Sequence, residues 1–289
     1  MKPPPFSYSA PSSLAEAVGL LAETAADEPR VLAGGQSLLP LMNFRLSGPG
    51  HLVDLRRIEE LTRIRTEGNE LVVGAMVRQA AAERSPDVAR AAPLLTEALG
   101  YVAHLPVRNR GTVGGSIAHA DPAAELPAAA LALDAVLIAV GPAGARRIPA
   151  AEFFRGPYET ALAPGEILIE IRFPIRGGGH AFVEFTRTHA TFAVVGVAVV
   201  VRLDGSRVAS AAIALSGVAT TPVRAGAAER ALVGTDPDED AVRAAADAAA
   251  DELTPTGDVH GSAATRVAIA RCYLRRGITL ALARVEEGR

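Results

Sequence analysis

Two separate Gly-Gly pairs, each beside small hydroxyl residues, are the positions of this sequence best suited to holding an anion. The first pair, Gly34-Gly35, is followed by Ser37, and the second pair, Gly114-Gly115, lies between Thr112 and Ser116. Adjacent glycines let backbone N–H groups converge on an anion because no Cβ blocks its approach, and the hydroxyl groups add donors. Two such loops suit a diphosphate held from two sides. The spacing alone also allows two ordinary turns, and it leaves both interpretations open.

Neither loop is a standard nucleotide-binding motif. The first loop has no Gly-x-Gly-x-x-Gly pattern behind its strand, and no Gly-Lys-Ser/Thr of a P-loop occurs in the chain. The sequence therefore argues against a Rossmann dehydrogenase and against a P-loop NTPase.

The cysteine count limits the redox chemistry that this chain can perform by itself. Cys272 is the single cysteine among 289 residues. Neither an internal disulfide nor an iron–sulfur cluster held by four thiolates of this chain is therefore possible. A cofactor that carries electrons must be organic or lie on another subunit. Cys272 itself falls in a helical apolar pattern, which predicts a small buried hydrophobic residue.

Charge and hydropathy exclude two further classes of function. The formal net charge of −3 argues against a broad nucleic-acid surface, because phosphate binding needs concentrated Lys and Arg. The longest apolar run, residues 192–201, is shorter than the roughly 20 residues of a membrane-spanning helix. The first five residues contain no apolar signal core. We therefore expect a cytoplasmic protein with no membrane insertion and no nucleic-acid partner.

A helix and a short strand precede the first glycine loop. Ser13 and Glu16 form a capping-box pattern, and the apolar spacing that follows predicts an amphipathic helix to about Asp27, before Pro29. The apolar pair Val31-Leu32 then leads into the loop. This order of strand and glycine loop allows a ligand to approach bare backbone.

The second glycine loop lies between a helical region and further strands. Residues 78–101 are predicted to be helical, with breaks near Pro86 and Pro93, and residues 107–122 are predicted to form a long loop. Strands are predicted at 51–55, 71–77, 135–140 and 167–173.

The last third of the chain predicts a separate antiparallel sheet with helices packed on it. Residues 176–180 include three consecutive glycines and predict a linker between domains. Residues 192–203 and 207–215 flank Asp204-Gly205, which is a strong hairpin signal. Helices are predicted at 223–233, 239–253 and 262–285. These patterns indicate an α+β protein.

Several long segments, in the same order, resemble one known family. Residues 33–42 resemble the first FAD loop of the medium subunit of carbon monoxide dehydrogenase and its relatives, and residues 107–116 with 118–125 resemble the second. Further segments match at 51–55, 160–167, 187–193 and 260–263. The chain thus resembles, over almost its whole length, the FAD-binding medium subunit of the xanthine dehydrogenase and carbon monoxide dehydrogenase (molybdenum hydroxylase) family.

The resemblance implies a fold and a domain division. The expected fold has the two FAD-binding subdomains of the vanillyl-alcohol oxidase and p-cresol methylhydroxylase type. A C-terminal α+β domain of the carbon monoxide dehydrogenase flavoprotein type follows them. The expected boundaries are residues 1–56 and 57–176 for the two subdomains, and residues 177–289 for the C-terminal domain.

The resemblance also implies which residues contact FAD. The first loop would wrap the diphosphate, and the second would contact it from the other subdomain. Tyr101 and Val102 would lie near the adenine or ribose. Asp121 and Glu125 are the acidic positions of the second motif, and Glu125 would accept hydrogen bonds from ribityl or ribose hydroxyls. Leu162 would pack by the cofactor, and Phe192 would lie against the isoalloxazine ring. The implied contacts are Val31, Leu32, Ala33, Gly34, Gly35, Gln36, Ser37, Leu38, Tyr101, Val102, Thr112, Val113, Gly114, Gly115, Ser116, Asp121, Glu125, Leu162 and Phe192.

Single residues near these motifs have alternative interpretations. His119 and Asp121 form a His-x-Asp pair without a third ligand at suitable spacing, so a polar loop pair is favoured over a metal site. Arg108 and Arg110 are candidates for the diphosphate, for solvated loop positions or for partner contacts. Phe192 opens an apolar stretch, which predicts a core position, whereas the resemblance places it against the isoalloxazine ring.

Three departures from the family pattern lie in or near the expected cofactor-binding segments. Gln36 stands where many relatives have His, which keeps a hydrogen-bond donor but removes any charge that the His contributes. Asn43-Phe44 replaces a common Lys-Leu. Thr191 replaces a common Asp, which removes a carboxylate near the flavin.

The resemblance implies an electron-transfer subunit without a catalytic residue or metal of its own. Electrons would pass from a large molybdenum-cofactor subunit through two 2Fe–2S clusters of a small subunit to FAD, and then to a quinone, NAD or oxygen. A dimer of heterotrimers is the family expectation. Two alternatives remain open at this level: a stand-alone flavin oxidoreductase of the same fold, and a structural subunit that has lost FAD.

Overall fold

The computed structural model describes residues 2–188 and 190–287, and three main β-sheets follow one another along this part of the chain. His189, within the segment 187–193 of the family resemblance, lies outside the described residues. The fold is the mixed α+β arrangement that the sequence predicts.

The first sheet carries the first glycine loop and is parallel. Its order is β1-β3-β2, and α1 packs on it through Ala17 and Leu21, both buried in a cluster with Val53. The Ser13 hydroxyl caps α1 by accepting the N–H of Glu16 at 3.2 Å, as predicted. The helix ends earlier than expected, and a 3-10 turn continues to Asp27. The elements are β1 (Ser7–Ser9), α1 (Leu14–Glu23), β2 (Arg30–Leu32), α2 (Leu38–Asn43) and β3 (His51–Asp54).

The second sheet is antiparallel, in the order β4-β5-β10-β6-β7, and an Ala- and Leu-rich set of helices covers it. The predicted breaks in the helical region 78–101 are confirmed, because Pro86 and Pro93 each begin a new helix. The elements are β4 (Ile64–Glu67), β5 (Glu70–Gly74), α3 (Gln79–Arg84), α4 (Pro86–Ala91), α5 (Pro93–Tyr101), α6 (Leu105–Arg110), α7 (Val113–His119), α8 (Glu125–Ala132), β6 (Val136–Gly141), β7 (Gly144–Pro149), α9 (Ala150–Phe153), β8 (Phe154–Gly156), β9 (Glu159–Thr160) and β10 (Ile167–Pro174).

The prediction of one long loop at 107–122 is wrong, because α6 and α7 occupy most of it. Two glycines in α7 weaken its helical propensity by about 1 kcal/mol each relative to Ala. Tertiary packing overrides this cost: Val113 and Ile117 are fully buried, and Gly114 lies against the backbone of Ala75. The Thr112 hydroxyl also caps α7 by accepting the N–H of Gly115 at 3.0 Å.

The third sheet is antiparallel, in the order β11-β12-β13-β14, and carries helices on one face. The predicted hairpin at Asp204-Gly205 joins β12 to β13. Two expectations for this region are wrong. Phe192 precedes β12, which begins at Val195, and Cys272 is exposed because α12 turns it away from the sheet. The elements are β11 (Gly179–Phe185), β12 (Val195–Asp204), β13 (Arg207–Ser216), β14 (Val223–Arg224), α10 (Gly226–Leu232), α11 (Glu239–Glu252) and α12 (Ala263–Glu287).

The other face of the third sheet packs on α5 and α8, two of the helices that cover the second sheet. Phe182, Ala198 and Ala214 belong to the same buried cluster as these helices. Polar contacts fix the relative position, since the N–H of Phe182 donates to the carboxylate of Glu97 at 2.8 Å. None of the described helices is both long enough and apolar enough to cross a bilayer.

Candidate cofactor-binding site

The two glycine loops meet directly, although 80 residues separate them in the chain. A Cβ on Gly34 would lie 2.7 Å from the Cα of Gly111 and closer still to the carbonyl oxygen of Arg110. A Cβ on Gly115 would lie 3.2 Å from the Cβ of Ala33. The glycines therefore allow the segment at residues 33–34 to contact the segment at residues 110–115 closely, which places both loops at one site.

The first loop presents unpaired backbone donors. Gly35 has a φ of +72°, a left-handed conformation that glycine adopts without strain. Among the described residues, the N–H groups of Gly35, Gln36 and Ser37 have no backbone partner, and the Ser37 hydroxyl makes no capping bond to α2. Successive free N–H groups in such a turn form a concave anion site.

The second loop differs from the first, because its N–H groups are already bonded within the protein. Val113 donates to the carbonyl of Val77 and Gly114 to that of Ala75, each at 3.0 Å, and Gly115 donates to the Thr112 hydroxyl. The Ser116 hydroxyl has no hydrogen-bond partner in the described structure. The two loops are thus unequal: the first supplies backbone donors, whereas the second supplies a hydroxyl and a close-packed wall.

A polar cluster follows the second loop at the end of α7. The carboxylate of Asp121 accepts the N–H of Ala123 at 2.9 Å and the hydroxyl of Tyr158 at 3.5 Å. The Tyr158 ring lies 5.0 Å from the ring of His119, centroid to centroid. Burial lowers the pKa of His119, so this imidazole is neutral at pH 7. No metal-binding group that includes His119 and Asp121 occurs among the described residues.

Glu125 begins α8 and is only 8% exposed. Burial raises its pKa to about 7, with a further contribution from the charge of Asp121. Glu184 lies close enough for its carboxyl group to be affected by Glu125, and burial raises the pKa of Glu184 to about 9. Neither Glu184 nor Tyr158 belongs to a motif that the sequence predicts to be functional. The one available signal for Glu184 was a carboxylate inside the otherwise apolar stretch 181–185.

The remaining expected contacts differ in exposure and surroundings. Tyr101 packs on Phe182 with ring centroids 5.4 Å apart and lines a cavity of about 310 Å³ that opens to solvent. Val102 is buried, and Leu162 packs against the core of the second unit. Phe192 is 65% exposed, so its ring is free of the core.

Arg108 has a structural role. Its guanidinium pairs with Glu83 at 2.9 Å and donates to the carbonyls of Val102 and Ala103, each at 2.9 Å. These bonds fix α6 against α3 and the end of α5. The Arg110 carbonyl accepts a bond from Arg78, and this carbonyl also contacts Gly34.

These features fit an organic diphosphate cofactor. Three free N–H groups and the free hydroxyls of Ser37 and Ser116 match the oxygens of a diphosphate, while the buried acid Glu125 suits sugar hydroxyls. The two loops pack closely because a Cβ on Gly34 would meet the backbone of Arg110 and Gly111, and one on Gly115 would meet the side chains of Thr112 and Ala33.

Comparison with known proteins agrees with this geometry over nearly the whole chain. The family described as the FAD binding domain in molybdopterin dehydrogenase matches residues 4–176, and the CO dehydrogenase flavoprotein C-terminal domain matches residues 180–281. The carbon monoxide dehydrogenase medium chain of Hydrogenophaga pseudoflava is 42% identical over 286 residues, covering 98% of this chain and 99% of that one.

Two further relatives extend the comparison. Subunit alpha of the 6-hydroxypseudooxynicotine dehydrogenase complex of Paenarthrobacter nicotinovorans is 40% identical over 98% of this chain and 97% of its own length. Among solved structures, the carbon monoxide dehydrogenase of Hydrogenophaga pseudoflava contains a chain that superposes with a TM-score of 0.96 at 44% identity, covering 99% of this chain and 100% of that one.

Proposed function

This chain belongs to the family of FAD-binding medium subunits of molybdenum hydroxylases, and from that premise we propose that it relays electrons from partner iron–sulfur clusters to an external acceptor. It is a flavoprotein subunit of an oxidoreductase, with FAD as its cofactor. The observation that carries the proposal is the first glycine loop, in which three N–H groups have no backbone partner among the described residues and whose Gly34 packs directly on Gly111 of the second loop.

The residues of the two loops hold the diphosphate in this proposal. Residues 31–38 wrap it, with the N–H groups of residues 35–37 as donors, and residues 112–116 contact it from the opposite side through the Ser116 hydroxyl. Support comes from the direct contact between the loops at Gly34 and Gly111. Tyr101 and Val102 take the adenine or ribose end.

The flavin end lies toward the C-terminal domain. Glu125 accepts hydrogen bonds from ribityl or ribose hydroxyls, and Asp121 is the other acidic position of this motif beside the cofactor. Leu162 packs by the cofactor, and Phe192 lies against the isoalloxazine ring. The support for Phe192 is its exposure, because an aromatic ring that is outside the core is available for stacking. FAD supplies a group that accepts single electrons from clusters and releases them in pairs.

The partners in this proposal are a large molybdenum-cofactor subunit, where substrate is oxidised, and a small subunit with 2Fe–2S clusters. The relatives' names as medium chains or as subunits of dehydrogenase complexes support this division of labour. One cysteine in 289 residues agrees with clusters on a partner. The acceptor is a quinone, NAD or oxygen, and the assembly is a dimer of heterotrimers.

The domain division proposed for the chain is 1–56, 57–176 and 177–289. Its support is the placement of the three main sheets, which occupy successive parts of the chain. The family matches, 4–176 and 180–281, also meet at the predicted linker.

Gentle purification of the tagged chain from its own cells tests the proposal. We expect two additional subunits on a gel, and a visible spectrum in which flavin bands are overlaid by iron–sulfur absorption. Flavin bands from a single chain would favour a stand-alone flavoenzyme instead. A chain that binds no FAD even with its partners present would contradict the proposal.

A further inference from the structure

Arg78, the residue before α3, is bound to the second glycine loop through both its backbone and its side chain. Its backbone forms an isolated antiparallel bridge with Thr112, and the N–H of the next residue, Gln79, donates to the carbonyl of Gly111 at 3.0 Å. One guanidinium nitrogen, Nη1, donates to the carbonyl oxygen of Arg110. The side chain of Arg78 is therefore held at the second loop.

The Arg110 carbonyl places this guanidinium beside the first loop as well. A Cβ on Gly34 would meet that same oxygen before any other atom, and it would lie 2.7 Å from the Cα of Gly111. The N–H groups of residues 35–37, which have no backbone partner among the described residues, begin one residue further along. The Arg78 guanidinium thus bonds to the oxygen on which Gly34 packs, at the edge of the donor set.

The charge of Arg78 is not neutralised by direct contact with any carboxylate in the described part of the chain. Its side chain is partly buried, and a guanidinium stays protonated in proteins. Burial lowers the pKa of Arg78, and the charge of the neighbouring Arg110 lowers it further. Buried charges in proteins are normally paired. A partly buried cation beside a second cation therefore indicates that an anion binds there.

The other charged groups around this position are already paired. Asp54, which favours the charged form of Arg78, accepts a bond from Arg56 Nε at 2.6 Å and one from the Tyr8 hydroxyl at 2.9 Å. Arg108 on α6 is paired with a glutamate of α3 at 2.9 Å. These pairs leave Arg78, with the exposed Arg110 beside it, without an acid partner among the described residues.

We propose that Arg78 is a further cofactor-binding residue, whose guanidinium supplies positive charge and hydrogen-bond donors to the diphosphate of FAD where the two glycine loops meet. The proposal rests on the function proposed above. Backbone N–H groups offer only partial charges, whereas each phosphoryl group of a diphosphate carries a formal negative charge. An arginine has five N–H donors in a planar fork, and the Arg110 carbonyl uses one face of it.

The same guanidinium joins the two loops. By holding the Arg110 carbonyl, Arg78 keeps the second loop in the position where Gly34 packs on it. In the FAD-free protein its charge is partly desolvated and unpaired, which opposes folding. A bound diphosphate removes this cost, so Arg78 favours the FAD-bound state over the FAD-free state.

The test compares Arg78→Gln and Arg78→Lys with the unmutated protein by FAD titration of the deflavinated complex. The glutamine removes the charge and should weaken FAD binding by about 10-fold to about 150-fold at low salt, the range for losing a hydrogen bond to a charged group. The lysine keeps the charge without the fork and should recover part of the affinity. Salt screens charge interactions, so the difference between Arg78→Gln and wild type should shrink as NaCl is added.

Arg84→Gln is the matched control, because it removes the same charge from an exposed arginine at the far end of α3. This control should bind FAD as wild type does. ADP, used as a competitor against FAD, gives a second measurement, since it contains the diphosphate and adenosine without the flavin. Arg78→Gln should weaken ADP and FAD binding by similar factors, and the FAD-free variant should unfold no more easily than FAD-free wild type.

Wild-type affinity for FAD in a folded Arg78→Gln complex overturns the assignment. A loss of FAD affinity that is independent of salt, with an equal loss of stability in the FAD-free variant, also overturns it, because Arg78 would then only hold the loops together. A wild-type complex that contains no flavin and binds no added FAD instead contradicts the proposed function itself.

Discussion

Replacement of Gly34 by alanine tests the direct contact between the two glycine loops. The added Cβ would lie 2.7 Å from the Cα of Gly111 and 3.0 Å from the carbonyl carbon of Arg110. Real Cβ contacts are essentially never shorter than 3.0 Å. All the crowded atoms belong to the backbone, so no side chain can rotate away, and the loops must separate.

The size of the effect follows from this overlap. Forcing one extra carbon into a close-packed contact costs about 1–3 kcal/mol. If the whole cost falls on the arrangement that binds FAD, the affinity decreases by about 5-fold to about 150-fold, since 1.4 kcal/mol is a factor of ten. In the FAD-free protein the loops can separate and relieve part of this strain. The free energy of unfolding of the FAD-free variant should therefore decrease by less than its free energy of FAD binding does.

The assay is FAD titration of the deflavinated complex, followed by flavin fluorescence. The matched control is Gly19→Ala, because a Cβ on Gly19 in α1 would have nothing within 4 Å. This control should bind FAD normally and gain about 0.5–1 kcal/mol of stability from higher helix propensity. Wild-type FAD affinity in a folded Gly34→Ala complex would refute the conclusion that these loops form the binding site by direct contact.

Three other substitutions have definite expected outcomes. Glu184 has a folded-state pKa of about 9, above its unfolded value of 4.5, so it favours folding most at low pH and loses that contribution as the pH rises between these values. Glu184→Gln should therefore gain stability relative to wild type across this window; a pH-independent difference in unfolding free energy would contradict the burial argument. Phe192→Ala should shift the flavin redox potential, measured by spectroelectrochemistry, with FAD retained, and an unchanged potential would rule out stacking. Arg108→Ala should lower the unfolding free energy by about 1–3 kcal/mol, because it removes the bonds to Glu83 and to two backbone carbonyls. The control Arg155→Ala alters an exposed arginine and should change the unfolding free energy little. Equal effects of the two substitutions would argue against a structural role for Arg108.

Local signals in the sequence predict much of the fold correctly. The capping box at Ser13, the proline starts at Pro86 and Pro93, and the Asp204-Gly205 hairpin depend on residues within one or two turns of each other. The prediction at 107–122 fails because α7 contains two glycines and is stabilised by its packing on Ala75, which lies far away in the sequence.

The site shows the same division between local and distant information. Paired glycines indicate an anion loop, yet the unequal donor sets of the two loops follow from bonds to Val77 and Ala75 that no spacing rule gives. Arg78 reaches the contact between the loops only through the pairing of residues 77–79 with residues 111–113. The exposure of Cys272 likewise depends on which face of α12 meets the sheet. The apolar residues around it in the sequence therefore wrongly predict that it is buried.

Electron transfer through the subunit is the central claim, and reoxidation of a deflavinated complex tests it most directly. The complex is reduced anaerobically and mixed in turn with a quinone, NAD and oxygen, while iron–sulfur absorption is followed in a stopped-flow instrument. We predict that clusters in the deflavinated complex stay reduced, and that adding FAD restores their reoxidation by at least one acceptor. Clusters that are reoxidised equally fast with and without FAD would contradict the account.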